Sequence, residues 1–317
     1  MKDTILVPLD GSPFAEQVLP LAASMARTLD IPLELVRVHP APTLGFSQDV
    51  FHATLDEDAE ARVSDRAYLD RLALALANQE LDVHTTLLDA RSVPEAIVAR
   101  ATAARARLVV MTTHGRTGMR RTIMGSVADE VVRRSTIPVL LWTTTESHPV
   151  RSPSLPFTRV LVPLDGSLAA EAILPHAVMM AQLGSGRLTL LRVVGPALAG
   201  SEPPATVPIS PFFAYSSAVT VIDEQATQHA TEHATAYLNA TATQLRTTHH
   251  GLRVDVKVMV DERVDVAVLA AAKQEGADLV ALVPQGLGAS RVIVGSTADS
   301  LLRERIGAVM LLRPSAA

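Results

Sequence analysis

The chain of 317 residues carries the same sequence signals twice. Residues 5–12 read ILVPLDGS and residues 160–167 read VLVPLDGS, so that seven of eight positions are identical. A second match closes each copy, where GSVADEVVRRSTIPVLL from Gly125 returns as GSTADSLLRERIGAVML from Gly295. Each copy is about 150 residues long, which is the size of a domain rather than of a solenoid repeat. The sequence therefore predicts two homologous domains, 1–145 and 157–317, joined by a linker at 146–156.

Short apolar runs alternate with longer helical segments through both copies. Runs rich in Val, Ile and Leu are typical of strands that are buried on both faces of a parallel sheet. The predicted strands are Thr4–Leu9, Leu33–Val38, Val83–Leu88, Leu108–Thr112, Pro138–Trp142, Arg159–Leu164, Leu188–Val193, Val254–Val260, Leu279–Val283 and Ala308–Leu312.

Helices are predicted between these strands. In the first copy, Ser12 is placed as an N-cap with Pro13 at the first helical position, and Pro20 is expected to kink this helix. Further helices are predicted at Asp56–Asn78, Val93–Ala104 and Ser126–Ser135. Regular alternation of strand and helix predicts an α/β fold with two tandem doubly wound, Rossmann-like domains, each with a five-stranded parallel sheet.

Composition narrows the classes of function. No run of about 18 apolar residues and no secretory signal are found, so we expect a cytoplasmic protein with no membrane partner. The net charge of -5 and the aromatic content of 3% give little general attraction for nucleic acid. The absence of cysteine excludes disulfides and cysteine metal sites, and the scarcity of lysine excludes a P-loop.

Two segments of the first copy lie where ligands of an open parallel sheet bind, beyond the carboxyl ends of the strands. Asp10 and Gly11 follow the first strand, and the glycine-rich segment 111–126, MTTHGRTGMRRTIMGS, leads into a helix. Glycines let backbone amides approach an anion and a helix N-terminus favours phosphate, although the same glycines could simply build turns. The nine arginines between residues 91 and 134 suit either a phosphorylated ligand or a solvated helix face.

In these segments the chain resembles the universal stress protein family, specifically its tandem, ATP-binding type. The family's motif is a glycine, two residues, a second glycine, nine residues, and then a glycine followed by Ser or Thr. Thr112 stands at the first glycine position, and Gly115, Gly125 and Ser126 complete the motif. The segments VPLDGS and HGRTG support the resemblance, which covers essentially all of both copies.

The resemblance implies that the first copy binds ATP, with or without Mg. Asp10 and Val38 would meet the adenine and ribose, while the motif residues would hold the phosphates and Arg116 would add charge. The nucleotide-binding residues implied in this way are Pro8, Asp10, Val38, Thr112, Gly115, Arg116, Gly118, Gly125 and Ser126.

The second copy departs from this pattern. Its segment VPQGLGASRVIVGS has Val283 at the first glycine position and is one residue shorter between the second glycine and the closing Gly-Ser. We therefore expect altered phosphate geometry and weak or no binding there. The residues of this degenerate second site are Asp165, Val193, Gly286, Gly288, Gly295 and Ser296.

The resemblance also implies a nucleotide-dependent regulator of the stress response. In the family, domains pair through their last strands, which here are the apolar segments Pro138–Trp142 and Ala308–Leu312, and a homodimer of the whole chain is a further expectation. At most slow ATP hydrolysis is expected, because no general base is evident beside the glycine-rich segment. The alternatives are a weak ATPase and a nucleotide-free interaction module whose glycine loops are structural.

Two histidine-containing segments can each be interpreted as functional or as structural. HATEH at residues 229–233 matches the motif of some zinc peptidases, but a solvated helix face explains the same pattern, and no metal site is predicted. His114 lies in the glycine-rich segment, where it could assist phosphate chemistry, although we expect it to fix the shape of the loop by hydrogen bonding.

Overall fold

A computed structural model describes most of the chain. The described residues are 3–41, 48–79, 81–113, 124–143, 157–184, 186–197, 223–284, 295–304 and 306–314, with the backbone alone at 48–56. Within them, no helix is long and apolar enough to cross a membrane.

The first half alternates strands and helices as the sequence predicts. Its strands are β1 (Thr4–Leu9), β2 (Leu33–Pro40), β3 (Val83–Ala90), β4 (Ala106–Thr112) and β5 (Val139–Trp142). Its helices are α1 (Pro13–Glu16), α2 (Leu19–Leu29), α3 (Gln48–Ala77), α4 (Val93–Ala103) and α5 (Ser126–Arg134).

The second half repeats the same order. Its strands are β6 (Arg159–Pro163), β7 (Arg187–Val194), β8 (Arg253–Val260), β9 (Leu279–Leu282) and β10 (Ala308–Leu311). Its helices are α6 (Leu168–Glu171), α7 (Leu174–Leu183), α8 (Glu224–Thr248), α9 (Val264–Glu275) and α10 (Ser296–Arg303).

All of these strands form one sheet in the order β3-β2-β1-β4-β5-β10-β9-β6-β7-β8. Pairing is parallel within each half, and the halves meet where β5 and β10 run antiparallel, with Val139 opposite Leu311. The predicted α/β fold is confirmed, and the halves pair through their last strands as expected. Each half covers the unpaired edge of the other, which removes two apolar edges that would otherwise promote aggregation.

Two apolar cores lie on opposite faces of the sheet. One is closed by α2, α3, α7 and α8, and the other by α4, α5, α9 and α10. Neighbouring residues of β5 divide between them, since Leu140 faces the first core and Leu141 the second, both fully buried. A fully buried leucine contributes about 1.5–3 kcal/mol relative to exposure, so the junction of the halves is part of the hydrophobic core.

Pro20 acts differently from its predicted role. Ser12 caps α1 with Pro13 as its first residue, as expected, but α1 ends at Glu16 and a new helix begins at Leu19. Pro20 therefore stands in the first turn of α2, where its missing N–H leaves no helical hydrogen bond unmade. Pro175 has the same place in α7.

Candidate functional site

A cavity of about 340 Å³ opens at the carboxyl ends of β1, β2 and β4 and the N-terminus of α5, and we call it the first pocket. It lies where the winding of the sheet reverses between β1 and β4, the usual ligand position in such folds. Six predicted site residues line it: Pro8, Asp10, Val38, Thr112, Gly125 and Ser126. The predicted Gly115, Arg116 and Gly118 lie outside the described residues.

Further lining residues were not singled out from the sequence. They include Arg37 and the apolar side chains of Val36, Val93, Ile97 and Met111. Their signal was present as strand and helix periodicity, but that pattern marks them as core and does not separate core from pocket wall. The first pocket thus has an apolar wall from β2, α4 and β4, and a polar rim from the β1 turn and the start of α5.

The turn after β1 holds Asp10 in a fixed orientation. The backbone N–H and the hydroxyl of Ser12 both donate to Asp10 Oδ1, at 2.9 and 2.6 Å, while Ser12 Oγ accepts from the N–H of Ala15 at 3.2 Å. Gly11 has a φ of 81°, a left-handed conformation that favours glycine. The Asp-Gly-Ser sequence therefore joins a helix cap to a carboxylate aimed at the pocket rim.

Arg37 fastens this turn from the neighbouring strand. Its Nη1 donates to the carbonyl oxygen of Leu9 at 3.4 Å, and its Nε donates to Asp65 Oδ1 of α3 at 2.9 Å. The guanidinium lies over Gly11, where a Cβ would stand 3.5 Å from Nη1. The buried guanidinium of Arg37 thus connects β2, the turn after β1 and α3.

The opposite rim of the first pocket is formed by the described residues at the two ends of the glycine-rich segment. Thr113 donates its N–H to the carbonyl oxygen of Trp142 at 3.2 Å, and its own carbonyl accepts from the N–H of Gly125 at 2.7 Å. Gly125 is extended and forms the N-cap of α5 without a side-chain cap, among the residues described. The first-turn N–H groups of α5 are therefore placed to meet ligand oxygen atoms.

Three of the six described arginines of the predicted positive cluster are engaged in ion pairs. Arg100 Nε lies 2.5 Å from the buried Glu34, Arg133 pairs with Asp129 at 3.0 Å, and Arg134 pairs with Glu95 at 2.9 Å. Such pairs fix the helices on the sheet and leave less positive charge for a ligand than the arginine count indicates.

A second pocket of about 270 Å³ occupies the equivalent place in the second half. Asp165, Val193, Gly295 and Ser296 line it, while the predicted Gly286 and Gly288 lie outside the described residues. The turn is repeated, since Ser167 donates its N–H and hydroxyl to Asp165 Oδ1 at 2.9 and 2.7 Å.

The two pockets differ at the phosphate side and on β7. Val283 and Pro284 take the places of Thr112 and Thr113, which removes two hydroxyls and one backbone N–H. Arg192, the equivalent of Arg37, lies over the ring of Tyr237 at 5.6 Å from its centroid. The second pocket therefore keeps its carboxylate and glycine but has fewer polar groups.

His229 and His233 both lie exposed on α8, as a solvated helix face predicts. Over the residues that the structure describes, no group of three or more metal-ligating side chains is assembled.

Fold and pockets define a class: a tandem pair of doubly wound α/β domains, each with a ligand-sized cavity at its topological switch point. The model of the Universal stress protein family matches residues 1–142 and 156–313. The chain belongs to the universal stress protein family.

Several known proteins are similar to this chain in sequence or in fold. Universal stress protein MJ0531 of Methanocaldococcus jannaschii is 28% identical over 142 residues, which cover 43% of this chain and 79% of that protein. A universal stress protein structure from Archaeoglobus fulgidus covers 98% of both chains, with a TM-score of 0.69 and 18% identity, and shows the same tandem fold. A universal stress protein from Archaeoglobus fulgidus in complex with dAMP covers 44% of this chain and 97% of its own, at 24% identity and a TM-score of 0.31.

Proposed function

We propose that the chain binds an adenine nucleotide, ATP with or without Mg, chiefly in the first pocket, and acts in the cytoplasm as a nucleotide-dependent regulator of the stress response. One observation carries the proposal. Six residues that match the family's nucleotide-binding pattern come from β1, β2, β4 and the start of α5, far apart in sequence, and all line one cavity.

The size and chemistry of the first pocket suit a nucleotide. Its volume of about 340 Å³ falls in the range of small-molecule sites, about 300–1,000 Å³. The apolar wall of Val38, Ile97 and Met111 suits a flat base, and Asp10 can accept hydrogen bonds from ribose hydroxyls. The start of α5 then supplies backbone N–H groups for phosphate oxygens.

Asymmetry between the pockets favours the first as the nucleotide site. Neither Val283 nor Pro284 has a hydroxyl, at positions where the first pocket has Thr112 and Thr113. The second pocket therefore has fewer polar groups for phosphate oxygens, and each buried polar group left unsatisfied costs about 1–3 kcal/mol.

Binding is better supported than catalysis. The carboxylate of the first pocket, Asp10, accepts two hydrogen bonds from Ser12 at Oδ1, which hold it in place as a hydrogen-bond acceptor. We therefore assign the nucleotide the role of a bound signal, with at most slow hydrolysis.

Mass spectrometry of small molecules released by heating the purified protein tests the proposal. An adenine nucleotide at about one per chain is expected, absent from Gly125→Val and retained in the matched variant Gly295→Val. The φ of Gly125, -67°, is open to any residue, so its valine variant is expected to fold with new side-chain atoms at the pocket rim. A protein that releases no nucleotide and gains no thermal stability from added ATP would overturn the proposal in favour of a nucleotide-free interaction module.

A further inference from the structure

His39 lies buried between two carboxylates of α3. Its Nδ1 is 2.9 Å from Asp65 Oδ2 and its Nε2 is 2.9 Å from Asp58 Oδ1, and its side chain is only 7% exposed. The two aspartates are seven residues apart, two helical turns, so α3 presents both to the same strand. His39 therefore bridges two turns of α3 from the end of β2.

This geometry favours a doubly protonated ring. An ionised carboxylate only accepts hydrogen bonds, so each ring nitrogen of His39 must carry a proton to satisfy its partner. Burial lowers the pKa of His39, but the hydrogen bonds and negative charges of Asp58 and Asp65 outweigh burial and leave that pKa raised above 6.5. Loss of one proton would leave a ring lone pair facing a carboxylate inside the protein.

Other charged groups complete the surroundings of His39. From its own strand, Arg37 shares Asp65 with it, binding the other carboxylate oxygen. From β3, Asp89 is its register partner and pairs with Arg62 of α3. Among the described neighbours, the protonated ring and Arg37 thus balance Asp58 and Asp65.

The bridge continues into the first pocket. Arg37 runs from Asp65 to the carbonyl oxygen of Leu9, directly before Asp10. Val38 and Pro40, on either side of His39, line the cavity. A hydrogen-bonded path therefore joins α3, the adenine wall and the Asp10 turn.

The second half lacks the histidine and both aspartates of this path, although Arg192 still lies over Gly166. Both copies contain Ala-Tyr-Leu, at residues 67–69 and 236–238, with the leucine fully buried in the same core. Aligned on this segment, Asp58 corresponds to Thr227 and Asp65 to Ala234, while Val194 takes the place of His39. Two copies of one fold thus provide an internal comparison, in which the network accompanies the pocket with the fuller set of polar groups.

We propose that the proton on His39 positions the wall and turn of the first pocket, so that the nucleotide binds less tightly when His39 is neutral. The inference rests on the proposed function. When the ring loses its proton, it no longer neutralises the two carboxylates, Asp65 and its ion pair with Arg37 shift, and the Leu9–Gly11 segment is held less firmly. By reciprocity, the nucleotide also favours the protonated ring.

Histidine and amide NMR titrations of the nucleotide-free protein test the network itself. Both ring nitrogens of His39 should stay protonated above pH 6.5, and the amide signals of Gly11 and Ser12 should shift with the midpoint of His39. A midpoint at or below 6.5, or turn amides that do not respond, would overturn the proposal whether or not a nucleotide binds.

Measurements of ATP affinity then test how the His39 proton affects binding. Between about one pH unit below and one above the His39 midpoint, ATP should bind about fivefold or more weakly at the higher pH. Asp58→Asn removes one negative charge beside His39, so the titration midpoint of His39 and the pH dependence of ATP affinity should both shift to lower pH. The exposed control His84→Gln should keep the wild-type pH dependence. The ATP phosphates titrate equally with all variants, so the difference between profiles isolates His39.

Each outcome is decisive. ATP affinity that does not change with pH in the wild type, or a profile that stays in place when Asp58→Asn moves the midpoint, would overturn the positioning role. Failure of ATP to bind at any pH would overturn the proposed function, and the amide titration alone would then decide whether His39 controls the turn.

Discussion

At the residue scale, the backbone conformation of the Asp-Gly-Ser turns favours glycine at Gly11 and Gly166. Gly11 and Gly166 have φ values of 81° and 83°, which other residues adopt only with strain. Gly11→Ala is expected to lower the free energy of unfolding by about 1–2 kcal/mol. Urea denaturation measures this, with Gly195→Ala as a control because a Cβ there meets no atom of the described residues within 4 Å. Equal midpoints for the two variants would contradict this account.

His176 is expected to make stability fall in mild acid. Burial in α7 and the nearby charge of Arg107 lower its pKa below 6.5, so the unfolded chain takes up a proton that the folded protein resists. The stability from its neutral ring is present above pH 6.5 and is lost as the pH falls toward the lowered value.

The His176 prediction is measured by denaturation at several pH values between about 5 and 8. His176→Gln should lose less stability than the wild type on acidification, whereas the exposed His84→Gln should follow the wild type. A His176→Gln curve parallel to the wild type would contradict the assignment.

The sequence predicted residues on the rim of the first pocket, but not the buried residues that hold this rim in place. Asp10, Ser126 and their neighbours stood out because they form a recognisable spacing. His39 did not, because its partners Asp58 and Asp65 lie 19 and 26 residues away, and only the packing of α3 on β2 brings them together.

At the element scale, Ser12 and Ser167 are equivalent helix N-caps, but their substitution is expected to affect ATP binding differently. Each accepts a first-turn N–H, at 3.2 and 3.1 Å, and each holds an aspartate. Ser12→Ala and Ser167→Ala should each cost about 1 kcal/mol of stability. Only Ser12→Ala should also weaken ATP binding, as measured by titration; an equal loss of affinity in both variants would contradict the asymmetry of the pockets.

Strands were predictable to within about two residues because buried parallel strands read as continuous apolar runs. β2 is longer than predicted, reaching Pro40, since its pairing with β3 continues through His39 and Pro40 after the apolar run ends. α3 begins at Gln48 rather than Asp56. Its early residues have weak apolar periodicity, so the sequence alone did not mark that start.

At the scale of the whole molecule, the duplication explains the ten-stranded sheet. β5 and β10 pair edge to edge, α2 contacts α7, and Thr143 donates its hydroxyl to the carbonyl oxygen of Gly307 at 2.6 Å. The parallel sheet of each half was predicted from the alternation of strand and helix, whereas the pairing of the halves through their last strands was implied by the family resemblance. A homodimer of the whole chain stays a prediction.

The halves are expected to remain associated after the chain between them is cut. A protease site inserted at 146–156 and cleaved to completion should give two fragments that elute together at the size of the intact chain. The buried β5–β10 junction supplies the reason, because separation would expose two apolar edge strands to water. Elution as two separate fragments would show that the junction is weaker than its burial implies.

We propose that one chain binds one ATP, in the first pocket. Isothermal titration of nucleotide-free protein with ATP and Mg tests it most directly. One ATP per chain is predicted, with binding lost in Gly125→Val and unchanged in Gly295→Val. Two equal sites per chain would contradict the asymmetry of the pockets, and the absence of binding in the wild type would contradict the nucleotide site itself.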